Sequence, residues 1–284
     1  MPDTPDTDQS EYWRSAQQWV DQQETLDAMM QPVLERLLTE AALAPGVRVL
    51  DIGCGTGAST MAAAQVVGPE GHVTGADISG IMLDLARNRT RSAGIANARF
   101  LESDAQTYDF GDAAYDTIMS RFGVMFFGDP VAAFANIRKA LKPGGTMVFL
   151  AWAGLSANPW FAIPRQAAID VLGAPEPSDP RAPGPMAFQE QDYVAGILRD
   201  AGWHNVSIEE IGVELTPPGT VADVAGFATH LGPASRIIDD LGGNDADTQK
   251  VKALVATRLA DFSSGDVVRV PARLNLIRAS GTGA

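Results

Sequence analysis

A parallel α/β sheet with helices on both faces is the fold this sequence predicts, and three observations predict it. Between Val49 and Trp152, short apolar runs alternate with segments of helical periodicity, the pattern of repeated β–α–β units. The first run carries Asp51 and passes through Gly53, Gly55 and Gly57 directly into a helical stretch. Two later apolar runs also end in acidic residues, at Asp77 and Asp104. Glycines at alternate positions let the backbone take positive φ and let a ligand approach with no Cβ in the way. The helix that starts there offers unpaired N–H groups and a positive dipole end. Right-handed crossovers gather all the strand-to-helix turns on one edge of the sheet.

Residues 1–9, rich in Asp, Thr and Pro, are expected to form a disordered tail. Residues 10–44 read as an N-terminal helical cap, with Trp13, Trp19, Leu26 and Met29 recurring on helical faces. Pro32 suits the first turn of a second helix, whose stripe is Val33, Leu37, Leu38 and Ala41. Residues 45–284 form the main domain. Strand 49–52 leads to helix 58–67, and strand 72–77 leads to helix 80–93, with Ile81, Leu85 and Ala86 inward. Strand 98–102 leads to an acidic loop. Strand 115–120 precedes a helix over 130–141, which Lys142-Pro143-Gly144-Gly145 stops, and strand 146–152 closes the series. An insertion at about 153–188 carries a proline-rich loop that cannot be a sheet strand. A helix over 189–201 and a strand over 206–215 restore the order. A second insertion, at about 218–264, reads as two or three helices broken at Gly242-Gly243-Asn244. It is expected to lie over the carboxyl edge as a lid, ahead of a last strand over 267–277.

The 284 residues, 45% apolar, can bury a sizeable core. A net charge of −14 repels phosphate backbones, so no nucleic-acid partner is expected. The densest basic run, Arg87-Asn88-Arg89-Thr90-Arg91, fits the exposed end of a helix. Cys54 is the single cysteine, which excludes an internal disulfide and a multi-cysteine metal site; no metal is expected. The polar start does not resemble a targeting segment, and no apolar run is long enough to span a membrane, so a cytoplasmic location is expected. No sequence feature bears on oligomeric state.

The glycine turn satisfies two patterns. Gly53-x-Gly55-x-x-Ala58 fits the fingerprint of nicotinamide dinucleotide enzymes. Asp51-Ile52-Gly53-Cys54-Gly55-Thr56-Gly57 resembles the D-x-G-x-G-x-G signature of the class I S-adenosylmethionine-dependent methyltransferases. Under either pattern Asp77 stands where an acidic side chain reaches ribose hydroxyls, or it caps the helix after it. Asp104, in Ser103-Asp104-Ala105, and the later runs Tyr115-Asp116-Thr117-Ile118-Met119-Ser120 and Leu141-Lys142-Pro143-Gly144-Gly145 extend the methyltransferase resemblance. It covers residues 30–152 and is closest to the branch with the ubiquinone and menaquinone biosynthesis enzymes.

That resemblance implies a Rossmann-like, seven-stranded, mostly parallel sheet with an antiparallel last strand, and S-adenosyl-L-methionine as cofactor. It implies cofactor contacts at Asp51, Gly53, Cys54, Gly55, Thr56, Gly57, Asp77, Ser79, Met82, Ala105, Ser120 and Arg121, with Ile78 on the adenine ring and Asp104 on its amino group. Asp104 also reads as a plain turn residue. The run Ser120-Arg121-Phe122-Gly123-Val124-Met125 departs from the quinone enzymes, so their acceptor cannot be carried over. Arg121 either contacts cofactor or an anionic substrate, or pairs with the acidic surface. His230 is the candidate general base, against a surface or core histidine. Trp19, Trp152, Trp160 and Phe161 either line an apolar acceptor pocket or pack the additions. The expected function is methyl transfer to a small, partly apolar molecule, on oxygen or carbon. A non-catalytic cofactor-binding module and a nicotinamide oxidoreductase are the alternatives.

Overall fold

The computed structural model describes residues 16–265 and 267–281. The expected tail and Trp13 lie outside the described residues. A short helix α1 (Gln17–Asp21) leads into α2 (Gln23–Ala41), which runs straight through Pro32. A proline inside a helix leaves the carbonyl four residues back without its N–H partner. Here Thr216 supplies substitutes: its Oγ1 donates to the Ala28 carbonyl at 3.2 Å and its N–H to the Met29 carbonyl at 3.3 Å. The expected second helix start at Pro32 is therefore corrected to one continuous helix.

The central series follows: β1 (Arg48–Ile52), α3 (Ala58–Val67), β2 (His72–Asp77), α4 (Gly80–Ser92), β3 (Ala98–Glu102), β4 (Tyr115–Arg121), α5 (Pro130–Lys139) and β5 (Leu141–Trp152). Then come α6 (Pro159–Leu172), α7 (Gln191–Asp200), β6 (His204–Leu215), α8 (Val221–His230), α9 (Pro233–Asp240) and α10 (Asp245–Leu259). A two-residue ribbon, β7 (Ser263–Ser264) with β8 (Val267–Val268), precedes β9 (Val270–Ser280). The main sheet has the order β3-β2-β1-β4-β5-β9-β6, and β9 runs antiparallel to both of its neighbours. This is the seven-stranded, mostly parallel sheet with an antiparallel last strand.

The chain steps from β1 outward to β2 and β3, then returns to β4 and steps the other way. Right-handed crossovers put the helices of the two halves on opposite faces. Accordingly, α2 packs with α3 while α5 packs with α7. The reversal between β1 and β4 is where open α/β sheets bind ligands.

Two details differ from the sequence pattern. The run Lys142-Pro143-Gly144-Gly145 lies inside β5 as a register shift opposite β4, with Gly144 at φ +79°. The glycine lets the chain bulge and re-pair where a break was expected. On α4 the buried face is Met82, Leu83, Ala86 and Thr90, whereas Ile81 is exposed. The helix is rotated by about one position from the expected register.

Candidate functional site at the strand ends

Strand β1 is buried from Val49 onward and delivers Asp51, 0% exposed, beneath the glycine turn. Gly53, Gly55 and Gly57 all take positive φ, at +66°, +52° and +87°. The N–H groups of Gly53 and Cys54 both donate to the Ala76 carbonyl, at 2.8 and 3.1 Å, so the turn is tied to β2. The glycines serve different ends. A Cβ on Gly53 would lie 2.5 Å from Gly123 Cα, and one on Gly57 2.9 Å from Ala86 Cβ. At Gly55 the nearest atom is Met82 Sδ, at 3.7 Å. Gly55 alone of the three could carry a Cβ without a steric clash.

Gly53 and Gly123 pass backbone to backbone, and this crossing draws the end of β4 against β1. Ser120 reinforces it, donating from Oγ to the Ile52 carbonyl at 2.7 Å. Phe122, at φ +70°, turns the chain sharply at that point. The left-handed region is costly for a residue with a Cβ, so the sheet edge holds a strained residue beside the glycine turn.

Each carboxylate has a different setting. Asp51 accepts Ser59 Oγ at 2.7 Å and Thr60 Oγ1 at 2.6 Å, both on Oδ2. Burial raises its pKa from 3.8 to about 6. Asp77 accepts the Gly55 N–H at 2.7 Å and the Ser79 N–H at 2.9 Å. Burial pushes its pKa up, while those backbone donors oppose the shift. It therefore braces the turn and opens α4 as well as facing the site. Asp104, half-buried, bonds the backbone and side-chain amides of Gln106, which is a turn role. Ile78 is half-buried and Ala105 buried. Cys54 is buried, and burial holds its thiol well above the ordinary range. It is the inert small residue of the turn.

Four neighbouring strands end alike. Asp51 Oδ1 near the end of β1, Ser79 Oγ after β2, Ser103 Oγ after β3 and Arg121 Nη1 at the end of β4 are all buried without a hydrogen-bond partner. Leaving such atoms unmet costs about 1–3 kcal/mol each. The set holds an anionic acceptor, a cationic donor and two hydroxyls beside the Gly55 turn. These groups match an adenosyl amino acid, whose ammonium, carboxylate and ribose hydroxyls need those partners.

Arg121 is set into this edge with its side chain 16% exposed, 3.9 Å from Asp27 of α2. Burial lowers its pKa, and Asp27 and Asp51 work against that shift. Asp27 bonds more closely to Arg89 of α4, at 2.5 Å. Arg89 also donates to the Thr56 carbonyl at 2.6 Å. Arg89 is thus not the exposed helix end that the basic run suggested. It stands three residues beyond buried Ala86, on the inward face, and that spacing was the available signal. Asp27 had no such signal, because its partners are distant in sequence.

The aromatic candidates pack together. Trp152 stacks on Phe122 with ring centroids 4.4 Å apart and meets Phe161 edge-on at 4.8 Å. Trp160 lies 5.9 Å from Phe227, joining α6 to α8. Trp19 is half-buried on α1, beside α4. His230 is exposed, with Nδ1 2.7 Å from the Gly226 carbonyl of its own helix. It is the last residue of α8. Among the described residues, no cluster of His, Cys, Asp and Glu suits a metal ion. No helix there is long and apolar enough to cross a membrane.

Known proteins resemble the chain over the same region. Residues 43–163 match the family model for a methyltransferase domain. Aklanonic acid methyltransferase DauC of Streptomyces sp. (strain C5) is 37% identical over 118 residues, 42% of this chain and 54% of that protein. Demethylmenaquinone methyltransferase of Staphylococcus aureus (strain JH9) is 34% identical over 116 residues, 41% of this chain and 47% of that protein. The chain thus spans about half the length of the curated relatives it matches. In fold it resembles phosphoethanolamine N-methyltransferase 2 of Haemonchus contortus, solved with S-adenosyl-L-methionine. The TM-score is 0.54 at 19% identity, covering 87% of this chain and 52% of that one. With its seven-stranded sheet, its glycine turn and its matching residues 43–163, the chain resembles the class I S-adenosylmethionine-dependent methyltransferases over that region.

Proposed function

We propose that the chain transfers a methyl group from S-adenosylmethionine to a small, partly apolar molecule, on oxygen or carbon. The observation that carries this reading is the row of four unmet buried polar atoms at the ends of four adjacent strands. The bound cofactor supplies a methyl group already activated on a sulfonium. The chain's task is to hold the partners in line and exclude water. Asp51 Oδ1 receives an ammonium, and Arg121 Nη1 donates to a carboxylate. Each oxygen of Asp77 accepts one backbone N–H, and each carboxylate oxygen has a second lone pair for a ribose hydroxyl. Ile78 and Asp104 serve the adenine ring and its amino group.

Beside Arg121, half-buried Phe122 stacks on buried Trp152, which meets buried Phe161 edge-on. Aromatic faces of this kind favour flat, partly apolar acceptors. The relatives' names give aklanonic acid and demethylmenaquinone as their substrates, and an acceptor of comparable character is proposed here. Turnover is tested with a panel of phenols, quinols and hydroxy acids, read as S-adenosylhomocysteine released. Release with a phenol or quinol supports the reading. Tight cofactor binding with no release from any member replaces it with a non-catalytic binding module.

A further inference from the structure

The first turns of α2 reach the site through one side chain. Asp27, its side chain 22% exposed, accepts Gln23 Nε2 at 2.6 Å and Arg89 Nη2 at 2.5 Å, and it stands 3.9 Å from Arg121 Nη2. Arg89 in turn donates to the carbonyl and hydroxyl of Thr56, at 2.6 and 3.2 Å. Thr56 lies between Gly55 and Gly57, so Arg89 fixes the peptide that joins Thr56 to Gly57. One carboxylate thereby joins the N-terminal helix, the glycine turn and the end of β4. Its two arms are unequal. The bond to Arg89 is short, while the pair with Arg121 is long and leaves Arg121 Nη1 unmet.

We infer that Asp27 is a positioning residue that couples cofactor occupancy to the seating of α2, an inference that rests on the function proposed above. A carboxylate arriving at Nη1 fixes the Arg121 guanidinium in one orientation. The opposite nitrogen is then held toward Asp27, and the long arm of the pair shortens. The entropy of ordering Arg121 is met once, by the ligand, and the first turns of α2 gain from it. Coupling is reciprocal: seating α2 tightens cofactor binding by the same factor. From Ala28 onward the helix is held separately, by Thr216 on the Ala28 and Met29 carbonyls and by the Glu40–Arg278 ion pair. The coupling is therefore centred on the turn around Asp27, within residues 23–30.

Amide hydrogen exchange over residues 23–30, with and without S-adenosylhomocysteine, tests this in the wild-type chain, Asp27→Asn, Asp27→Glu and Glu35→Gln. Glu35 is an exposed carboxylate on the same helix and serves as the control. In the wild-type chain the ligand is expected to slow exchange there about tenfold. Asp27→Asn is expected to lose that protection and bind the ligand about tenfold more weakly, with the melting temperature of the sheet unchanged. Asp27→Glu restores part of both effects, and Glu35→Gln resembles the wild-type chain. Equal protection in Asp27→Asn and the wild-type chain overturns the inference. Failure of the wild-type chain to bind S-adenosylhomocysteine is a different result. It overturns the cofactor assignment and this coupling with it, while faster exchange in ligand-free Asp27→Asn still shows the carboxylate seating the helix.

Discussion

Asp51 is a carboxylate in a poor place for a charge. It is fully buried with one oxygen unmet, and its pKa is raised from 3.8 to about 6. A raised acid pKa means that the folded chain holds the proton more tightly than the unfolded one. Its contribution to stability is complete below pH 3.8 and lost as the pH rises through about 6. The shift corresponds to about 3 kcal/mol at most. The ligand-free Asp51→Asn variant should lose the stability slope across that window. It should gain about 1–3 kcal/mol at neutral pH in urea titrations, and it should bind S-adenosylhomocysteine more weakly. A wild-type slope retained in the variant would remove Asp51 as its source. The sequence shows Asp51, Asp77 and Asp104 as three equivalent acidic strand ends. The structure separates them, because their differences arise from Ser59, Thr60, Gly55 and Gln106, neighbours that only folding supplies.

The turn between β1 and α3 was legible as an element, from its glycines and the buried strand before it. What each glycine does was not legible. Gly53 is needed because Gly123 crosses it, and Gly55 is the one where a Cβ would meet no clash. Gly53→Ala should therefore cost at least about 3 kcal/mol in folding stability, from overlap with Gly123 added to positive-φ strain. Gly55→Ala should cost about 1–2 kcal/mol, the strain alone, yet lose most cofactor affinity. Chemical denaturation and calorimetry on the two variants separate the effects. Equal stability losses would contradict the division of roles. Other elements were misread for equally physical reasons. Pro32 looks like a helix start until Thr216, far along the chain, bonds the carbonyls it frees. The run Leu141 to Gly145 looks like a stop because a bulge and a break use the same residues.

At the scale of the whole molecule, the two stretches outside the sheet's rhythm pack on each other. Helix α6, following β5, contacts α9 and α10, which lie between β6 and β9. The first is pinned to the sheet at Asn158, which is 0% exposed. Its Oδ1 accepts the Arg273 N–H at 2.9 Å, and its Nδ2 donates to the Arg273 carbonyl at 3.0 Å. Asn158→Ala leaves that N–H unmet and should cost about 2–4 kcal/mol in urea titrations, with S-adenosylhomocysteine affinity within about threefold of wild type. A loss below about 0.5 kcal/mol would mean that the anchor is spread over other contacts. Sheet order and ligand edge follow from a local rhythm that a sequence carries. The mutual packing of two stretches far apart in the chain has no local pattern, and neither has the Asp27 bridge. The most direct test of the central claim is calorimetric titration of S-adenosylhomocysteine and NADH into the wild-type chain and Arg121→Ala. The wild-type chain should bind one S-adenosylhomocysteine and no NADH, and Arg121→Ala should bind about 10–100-fold more weakly. Binding of NADH, or S-adenosylhomocysteine affinity unchanged in Arg121→Ala, would contradict the assignment of the four strand ends.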